Sequence, residues 1–198
     1  MTILYFYITI FTIYYIILAL ISLKSERKIR DKYTSKDFNM CVIVYASGEA
    51  GYLENLVKQL KNQNYPKELL DIYVIADNCT DNTAEVAKKA GAIVYERFDP
   101  EKKTKGFAMQ WFFKKMNEEG KDYDAMCVFD ADNVAMPDFI EAMNKKLCQG
   151  EEVVQGYTDI KNPTDSWVAS GYALFYWTMH RFYHLARYNI GLSPLLNG

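Results

Sequence analysis

The 198-residue sequence lacks the patterns that define several common classes of protein. Its four cysteines, at positions 41, 79, 127 and 148, form no C-x-x-C pair, which argues against a zinc ribbon or a thioredoxin-like site. Most of them lie in or beside apolar runs, as buried free thiols in a reducing compartment do. The net charge of −2 shows no excess of basic residues, so nucleic acid is not an expected partner.

Two nucleotide-binding motifs are also missing. The stretch SGEAGY does not supply the G-x-G-x-x-G of a dinucleotide-dependent oxidoreductase, and the G-K-[ST] of a P-loop NTPase occurs nowhere. His180 and His184 are spaced like metal ligands on a helix, but no third ligand or adjacent glutamate accompanies them. We interpret them as packing or interfacial histidines.

The sequence does have a long N-terminal run without charge, ILYFYITIFTIYYIILALISL at 3–23. It is long enough to cross about 30 Å of hydrocarbon at about 1.5 Å per residue. No Lys or Arg precedes it and no A-x-A site follows it, so we expect an uncleaved transmembrane anchor over 1–23 rather than a signal peptide.

A basic juxtamembrane linker is predicted over 24–39. The positive-inside rule places such a segment in the cytoplasm. We therefore predict a single-pass protein of the cell membrane whose remaining domain is cytoplasmic. The basic residues of the linker are Lys24, Arg27, Lys28, Arg30 and Lys32.

The stretch 166–188, SWVASGYALFYWTMHRFYHLARY, is rich in aromatic residues and helical in character. Its two histidines and two arginines make a second membrane span unfavourable. We expect a helix that lies in the membrane interface or packs under the soluble domain.

Between these segments, apolar runs typical of strands alternate with helical patterns. The alternation predicts an α/β domain with a mostly parallel sheet covered on both faces, in which ligands bind beyond the carboxyl ends of the strands. The predicted strands are CVIVYA (41–46), DIYVIA (71–76), AIVYER (92–97), AMCVF (125–129) and VVQGYTDI (153–160).

Two carboxylates, Asp130 and Asp132, directly follow the fourth predicted strand. They repel each other, and a divalent cation such as Mg²⁺ or Mn²⁺ that also binds a nucleotide diphosphate would neutralise them. The alternative is a helix cap followed by a turn. A D-x-D tripeptide is a weak signal, and a second copy, Asp122-Tyr-Asp124, stands in a polar turn where we interpret it as solvated surface.

Asp77 ends the second predicted strand. Its alternative role is to cap the next helix, but Asp81 and Asn82 stand closer to that helix start. We therefore predict that Asp77 accepts a hydrogen bond from a nucleobase N–H or a ribose hydroxyl.

Four motifs in this order resemble the family 2 glycosyltransferases: CVIVYASGEAGYLENLVKQLKNQNYP, VIADNCTDNTAEVAKKAGA, KTKGFAMQW and VFDADNVAMPDFI. The resemblance covers 41 to about 160 and implies a GT-A fold, a doubly wound mixed sheet with helices on both faces, acting on a nucleotide sugar. It also implies site residues. The nucleotide-sugar-binding residues would be Glu49, Asp77, Lys105, Gly106 and Asp130, and the metal ligands Asp132 and Asp130, with Asp132 the stronger candidate.

The sequence departs from the family pattern at several points. Tyr45 and Gly48 replace a proline and an asparagine of the first motif, and Gln110 stands where Asn or Asp is common. No acidic motif follows Asp165. The resemblance thus puts the catalytic base downstream of Gly198, and we expect the 198-residue chain alone to bind a nucleotide sugar weakly at best and to transfer no sugar.

The resulting prediction is a membrane-bound, metal-dependent, inverting glycosyltransferase of polysaccharide biosynthesis. Its donor would be a nucleotide-diphosphate sugar, with a UDP-sugar as first candidate, and its acceptor a glycan or lipid. The alternative is a truncated, non-catalytic membrane fragment that binds nucleotide sugars. The predicted domains are the anchor (1–23), the linker (24–39), the GT-A nucleotide-sugar-binding domain (40–165), and an interfacial helix leading into the acceptor-side half (166–198).

Overall fold

The computed structural model describes residues 2–23 and 36–194. Most of the predicted basic linker therefore lies outside the described residues. Short 3₁₀ and π-helical segments occupy Lys67–Leu69 and Met179–His184. The remaining elements, in chain order, are α1 (Thr2–Ser22), β1 (Met40–Ala46), α2 (Ala50–Lys61), β2 (Leu70–Asp77), α3 (Thr83–Lys89), β3 (Ile93–Arg97), α4 (Lys105–Glu118), β4 (Ala125–Asp130), α5 (Phe139–Cys148), α6 (Trp167–Thr178) and α7 (Leu185–Asn189).

The four strands form one sheet in the order β3-β2-β1-β4, and all three pairings are parallel. Strands β1 and β2 are the central strands and are almost entirely buried. Their near-continuous apolar sequences suit a strand covered on both faces. The α/β architecture and four of the five predicted strands are thus confirmed.

Side chains alternate between the two faces of the sheet, and each face has its own apolar cluster. One face packs against α2, α3 and α5 through residues such as Leu56, Ala87 and Ile140. The other packs against α4 through Ala108 and Phe112. Because helices cover both faces of the sheet, a ligand can approach the strands at their two ends.

The predicted fifth strand, 153–160, is wrong, because this segment has no regular secondary structure. A strand is stable only when its backbone groups pair with a neighbour, and no strand of the described residues pairs with this segment. Val153 and Tyr157 are both exposed. Helix α5 begins at Phe139, two positions after Pro137.

The chain forms two compact units, which among the described residues comprise 36–152 for the sheet unit and 2–23 with 153–194 for the other. In the second unit, α1 packs on the π-helical segment and α7, and only Leu18 and Ser22 of α1 are buried. Among the described residues, α1 is the one helix long and apolar enough to cross a membrane. Nearly all of its apolar surface is therefore uncovered by protein.

The predicted helix at 166–188 is present as α6, the π-helical segment and the start of α7. Ser166 caps α6 by accepting a hydrogen bond from the Ala169 N–H at 3.1 Å. Helix α6 exposes Trp167 at 86% and also Phe175. His184 is buried and its ring contacts those of His180 and Tyr183, so one of the two histidines packs in the interior as predicted.

Candidate functional site

The carboxyl edge of the sheet carries charged side chains on a single face. Strand register pairs Asp77 with Arg97, and Tyr45 with Asp130. Because side chains alternate along a strand, these residues share the face that packs against α4. The carboxylates of Asp77 and Asp130, which end β2 and β4, therefore lie at the same edge of the sheet.

Asp77 is fixed in a buried ion pair. Arg97 Nη1 donates to Asp77 Oδ1 at 2.6 Å, and the two side chains are 5% and 1% exposed. Arg97 also donates to the Lys102 carbonyl and to Asp99 Oδ2, both at 3.0 Å. A guanidinium held by three acceptors has little freedom to move, so Arg97 fixes the orientation of the Asp77 carboxylate.

The second oxygen of Asp77 is only weakly engaged. Tyr45 Oη donates to Asp77 Oδ2 at the long distance of 3.4 Å. Burial, and then the negative charge of Asp77, raise the pKa of Tyr45, so the phenol stays protonated and remains a donor. Asp77 Oδ2 therefore retains capacity to accept a hydrogen bond from a ligand.

The turn that follows β2 is held by Asn78 and Asp81. Asn78 adopts a left-handed conformation with φ of 52° and accepts a hydrogen bond from the Asp99 N–H at 2.9 Å. Its Nδ2 atom is buried and has no hydrogen-bond partner among the residues that the structure describes. Asp81 accepts from the N–H and the hydroxyl of Thr83, the first residue of α3, while Asn82 stands at the cap position of that helix. Asp77 takes no part in capping, although it does have a protein partner in Arg97.

Asp130 is also held by a cation. Lys105 Nζ, at the first residue of α4, lies 2.7 Å from Asp130 Oδ1. The side chains of Lys105 and Asp130 are 37% and 48% exposed, so water reaches this pair. Gly106, the next residue of α4, is exposed. The structure thus brings Lys105 to the D-x-D segment, beside Asp130, and Gly106 follows Lys105 in the chain.

Asp132 stands in the exposed turn after β4. Its side chain accepts a long hydrogen bond, from Asn133 Nδ2 to Asp132 Oδ1 at 3.4 Å. The same Asn133 accepts from the Asp130 N–H through Oδ1 at 3.1 Å, which ties the two aspartates into one turn. Within 2–23 and 36–194, no three His, Cys, Asp or Glu side chains cluster to hold a metal ion.

The donor set at this turn nevertheless fits a hard cation. Asp130 and Asp132 offer carboxylate oxygens, and Mg²⁺ is commonly held by one or two carboxylates together with substrate phosphates. The Lys105 ammonium already places one positive charge beside Asp130. The residues present therefore suit Mg²⁺ or Mn²⁺ with a phosphorylated ligand completing the coordination.

Glu49 lies just beyond β1, at the same edge of the sheet. Its Oε2 accepts a hydrogen bond from the Ser47 N–H at 2.5 Å, which closes the loop between β1 and α2. The side chain is half-buried and precedes the first turn of α2. Glu49 is thus held by its own loop and faces no cation among the ion pairs of the described residues.

The second D-x-D copy lies at the opposite end of β4. Asp124 accepts from the Asn39 N–H at 2.8 Å and pairs with Lys36 at 3.3 Å. The Asn39 hydrogen bond, followed by Lys36, lowers the pKa of Asp124. This copy therefore links the entry of β1 to that of β4, at the end of the strands away from the candidate site.

Sequence reasoning missed Arg97 and Asn133. Arg97 ends the third predicted strand, so its position at the same edge as Asp77 was a usable signal. Asn133 follows the D-x-D directly, and nothing in its sequence context distinguishes it from an ordinary turn residue.

Of two similar solved structures, the first supports a GT-A fold for this chain. The mannosyltransferase PcManGT from Pyrobaculum calidifontis, in complex with GDP-Man and Mn²⁺, has a TM-score of 0.58 and 18% identity, over 80% of this chain and 45% of that one. Glucosyl-3-phosphoglycerate synthase of M. tuberculosis has a TM-score of 0.47 and 20% identity, over 65% and 47% of the respective chains. The chain spans less than half the length of either protein. At 18% identity, the first likeness shows a GT-A fold and nothing more specific.

Sequence comparison defines the family. No curated protein matches the sequence. The profile of Glycosyl transferase family 2 matches residues 41–194, which include β1 from its second residue, the other three strands and every candidate site residue. The chain therefore belongs to the family 2 glycosyltransferases and has the GT-A fold, as its motifs predicted.

Proposed function

We propose that the chain binds a nucleotide-diphosphate sugar along the carboxyl edge of its sheet and acts in a metal-dependent transfer to a membrane-associated acceptor. The observation that carries this proposal is the placement of two strand-end carboxylates, Asp77 and Asp130, on one face of the same edge. One carboxylate is buried and fixed, and the other is solvated.

The spacing of these carboxylates suits a nucleoside diphosphate. Neighbouring strands lie about 4.8 Å apart, so the ends of β2 and β4, on either side of β1, are separated by about 10 Å. Asp77 would accept a base N–H, which uracil and guanine both offer. Glu49 would line the loop above β1, between these two positions.

The diphosphate would lie at the D-x-D turn. Asp132 and Asp130 would hold Mg²⁺ or Mn²⁺, and Lys105 with Gly106 would border the phosphates. When bound, the metal supplies positive charge that offsets the charge of the diphosphate as it leaves the sugar. The similar mannosyltransferase is in complex with GDP-Man and Mn²⁺, which supports the same class of donor here.

The acceptor in this proposal is a glycan or lipid at the membrane, whose hydroxyl attacks the anomeric carbon of the donor sugar with inversion and displaces the nucleoside diphosphate. The support comes from the unit that contains α1, a charge-free helix whose apolar side chains are exposed along most of its length. Helix α6 of the same unit exposes Trp167, Tyr172 and Trp177, the aromatic types enriched at membrane interfaces. We propose that α1 spans the membrane and that the sheet unit is cytoplasmic.

Membrane attachment can be measured by alkaline carbonate extraction of cell membranes. The full chain should stay in the pellet, and a variant lacking residues 2–23 should move largely to the supernatant. Extraction of the full chain by carbonate would contradict a transmembrane α1.

The donor site can be tested by nucleotide binding with matched carboxylate variants. UDP and GDP should each be titrated into the detergent-solubilised full chain, with and without Mn²⁺, by calorimetry. In Asp132→Asn, the affinity gained on adding Mn²⁺ should disappear. Asp122→Asn removes the same charge at the opposite end of β4 and should leave that gain intact. Equal behaviour of the two variants would remove Asp132 from the metal site.

A further inference from the structure

Asp130 and Asp132 differ in what neutralises them. Asp130 is paired with Lys105 at 2.7 Å, whereas Asp132 forms no ion pair among the described residues. The three side chains together carry a formal charge of −1 rather than the −2 of the aspartates alone. A divalent cation approaching this turn would therefore meet a partly neutralised site.

We propose that Lys105 is an exchangeable counter-ion of the D-x-D turn, which occupies Asp130 in the empty site and moves to the donor diphosphate when the metal and nucleotide bind. This inference rests on the proposed function, because it assumes a diphosphate at this turn. It assigns to Lys105 the task of keeping metal affinity low until a nucleotide arrives.

The exposure of the pair favours exchange. Lys105 and Asp130 are both more than one-third exposed, and an ion pair between exposed groups contributes little to stability because water competes for both partners. Lysine also carries its charge on a flexible stem without a fixed geometry. Breaking this contact is therefore easy, unlike the buried contact between Arg97 and Asp77.

The position of Lys105 gives its ammonium a second anionic partner once Asp130 is released. Lys105 is the first residue of α4, and the preceding Thr104 makes no side-chain cap. The first N–H groups of α4 thus have no side-chain acceptor, and a helix N-terminus favours an anion. Lys105 and these N–H groups would contact the same diphosphate. The diphosphate would therefore replace Asp130 as the anionic partner of Lys105.

The test compares Lys105→Met with Lys103→Met. Lys103 is exposed, lies two residues before Lys105 and forms no ion pair within 2–23 and 36–194, so both variants lose one charge in the same region. Mn²⁺ binding to the full chain without nucleotide should be measured by electron paramagnetic resonance of free Mn²⁺. Lys105→Met should bind Mn²⁺ about two- to fivefold more tightly than Lys103→Met, the range for release of an exposed ion pair. Equal or weaker binding by Lys105→Met would overturn the proposal.

A second measurement tests the exchange itself. With Mn²⁺ held saturating, UDP and GDP affinity should fall in Lys105→Met by about three- to tenfold relative to Lys103→Met, because the diphosphate loses its lysine. Unchanged nucleotide affinity would show that Lys105 never reaches the diphosphate. Should the wild-type chain bind neither nucleotide, the proposed function fails, while the Mn²⁺ comparison still decides whether Lys105 competes for Asp130.

Discussion

The two ion pairs at the carboxyl edge of the sheet have nearly the same length and opposite surroundings. Arg97–Asp77 measures 2.6 Å with both side chains at most 5% exposed, and Lys105–Asp130 measures 2.7 Å with both at least 37% exposed. Distance alone would rank them as equal. Burial separates them, because charges removed from water interact strongly and tolerate no loss of their partner.

This difference suggests a division of tasks within one site. A buried pair with Arg97 held by three acceptors keeps Asp77 in one orientation, which suits recognition of a flat base with fixed hydrogen-bond donors. A solvated pair on a flexible lysine can rearrange, which suits a metal and a diphosphate that arrive and leave in every cycle. The proposed donor site is thus rigid at its base end and adaptable at its phosphate end.

The difference between the two ion pairs can be tested most directly by removing the cation of each pair in turn. Arg97→Met leaves Asp77 buried without a counter-charge and should lower the free energy of unfolding by about 3–5 kcal/mol. Lys105→Met leaves Asp130 in water and should cost less than about 1 kcal/mol. Urea unfolding can be followed through Trp111, which lies in the sheet unit on α4, after Trp167 and Trp177 are changed to Phe.

A double variant serves as the control for this prediction. Asp77→Asn combined with Arg97→Met removes both charges and should recover part of the stability lost in Arg97→Met alone. If Arg97→Met costs no more than Lys105→Met, the two pairs are equivalent and burial does not distinguish them.

The sequence was sufficient to predict most of the sheet and the carboxylates at its edge. Buried parallel strands have apolar sequences, so 41–46 and 71–76 could be recognised without knowing their neighbours. Asp77 and Asp130 could be placed because each ends such a strand. These predictions depend on local pattern, which a single sequence displays.

Contacts that depend on strand order could not be predicted in the same way. Arg97 contacts Asp77 because β3 lies beside β2 and their register aligns these two residues, twenty positions apart in the chain. The predicted strand at 153–160 failed for a related reason, since a strand requires a partner and its own sequence does not provide one. The ion pair between Lys105 and Asp130 likewise depends on tertiary contacts, and the sequence predicted only a metal ion as the counter-charge of Asp130.

A smaller effect is expected when Asp77 keeps its shape and loses its charge. In Asp77→Asn, Arg97 requires an acceptor, because a guanidinium only donates. The amide oxygen should therefore face Arg97, and the amide N–H₂ should take the place of Oδ2. A base N–H would then meet a donor instead of an acceptor, and UDP or GDP affinity should fall by about 1–3 kcal/mol, with or without Mn²⁺.

Two further measurements, with CDP and with Tyr45→Phe, test whether this loss is specific to base recognition. Cytosine has an acceptor where uracil has its N–H, so CDP should lose less affinity than UDP in Asp77→Asn, and its relative preference should rise. Tyr45→Phe removes the 3.4 Å contact to Oδ2 and a hydrogen bond with Ser47, and should change UDP affinity by less than about 1 kcal/mol. Isothermal titration of UDP, GDP and CDP on the full chain measures all three. An equal loss for UDP and CDP would mean that Asp77 supports the fold of the site without reading the base, and the rigid end of the site would then be structural only.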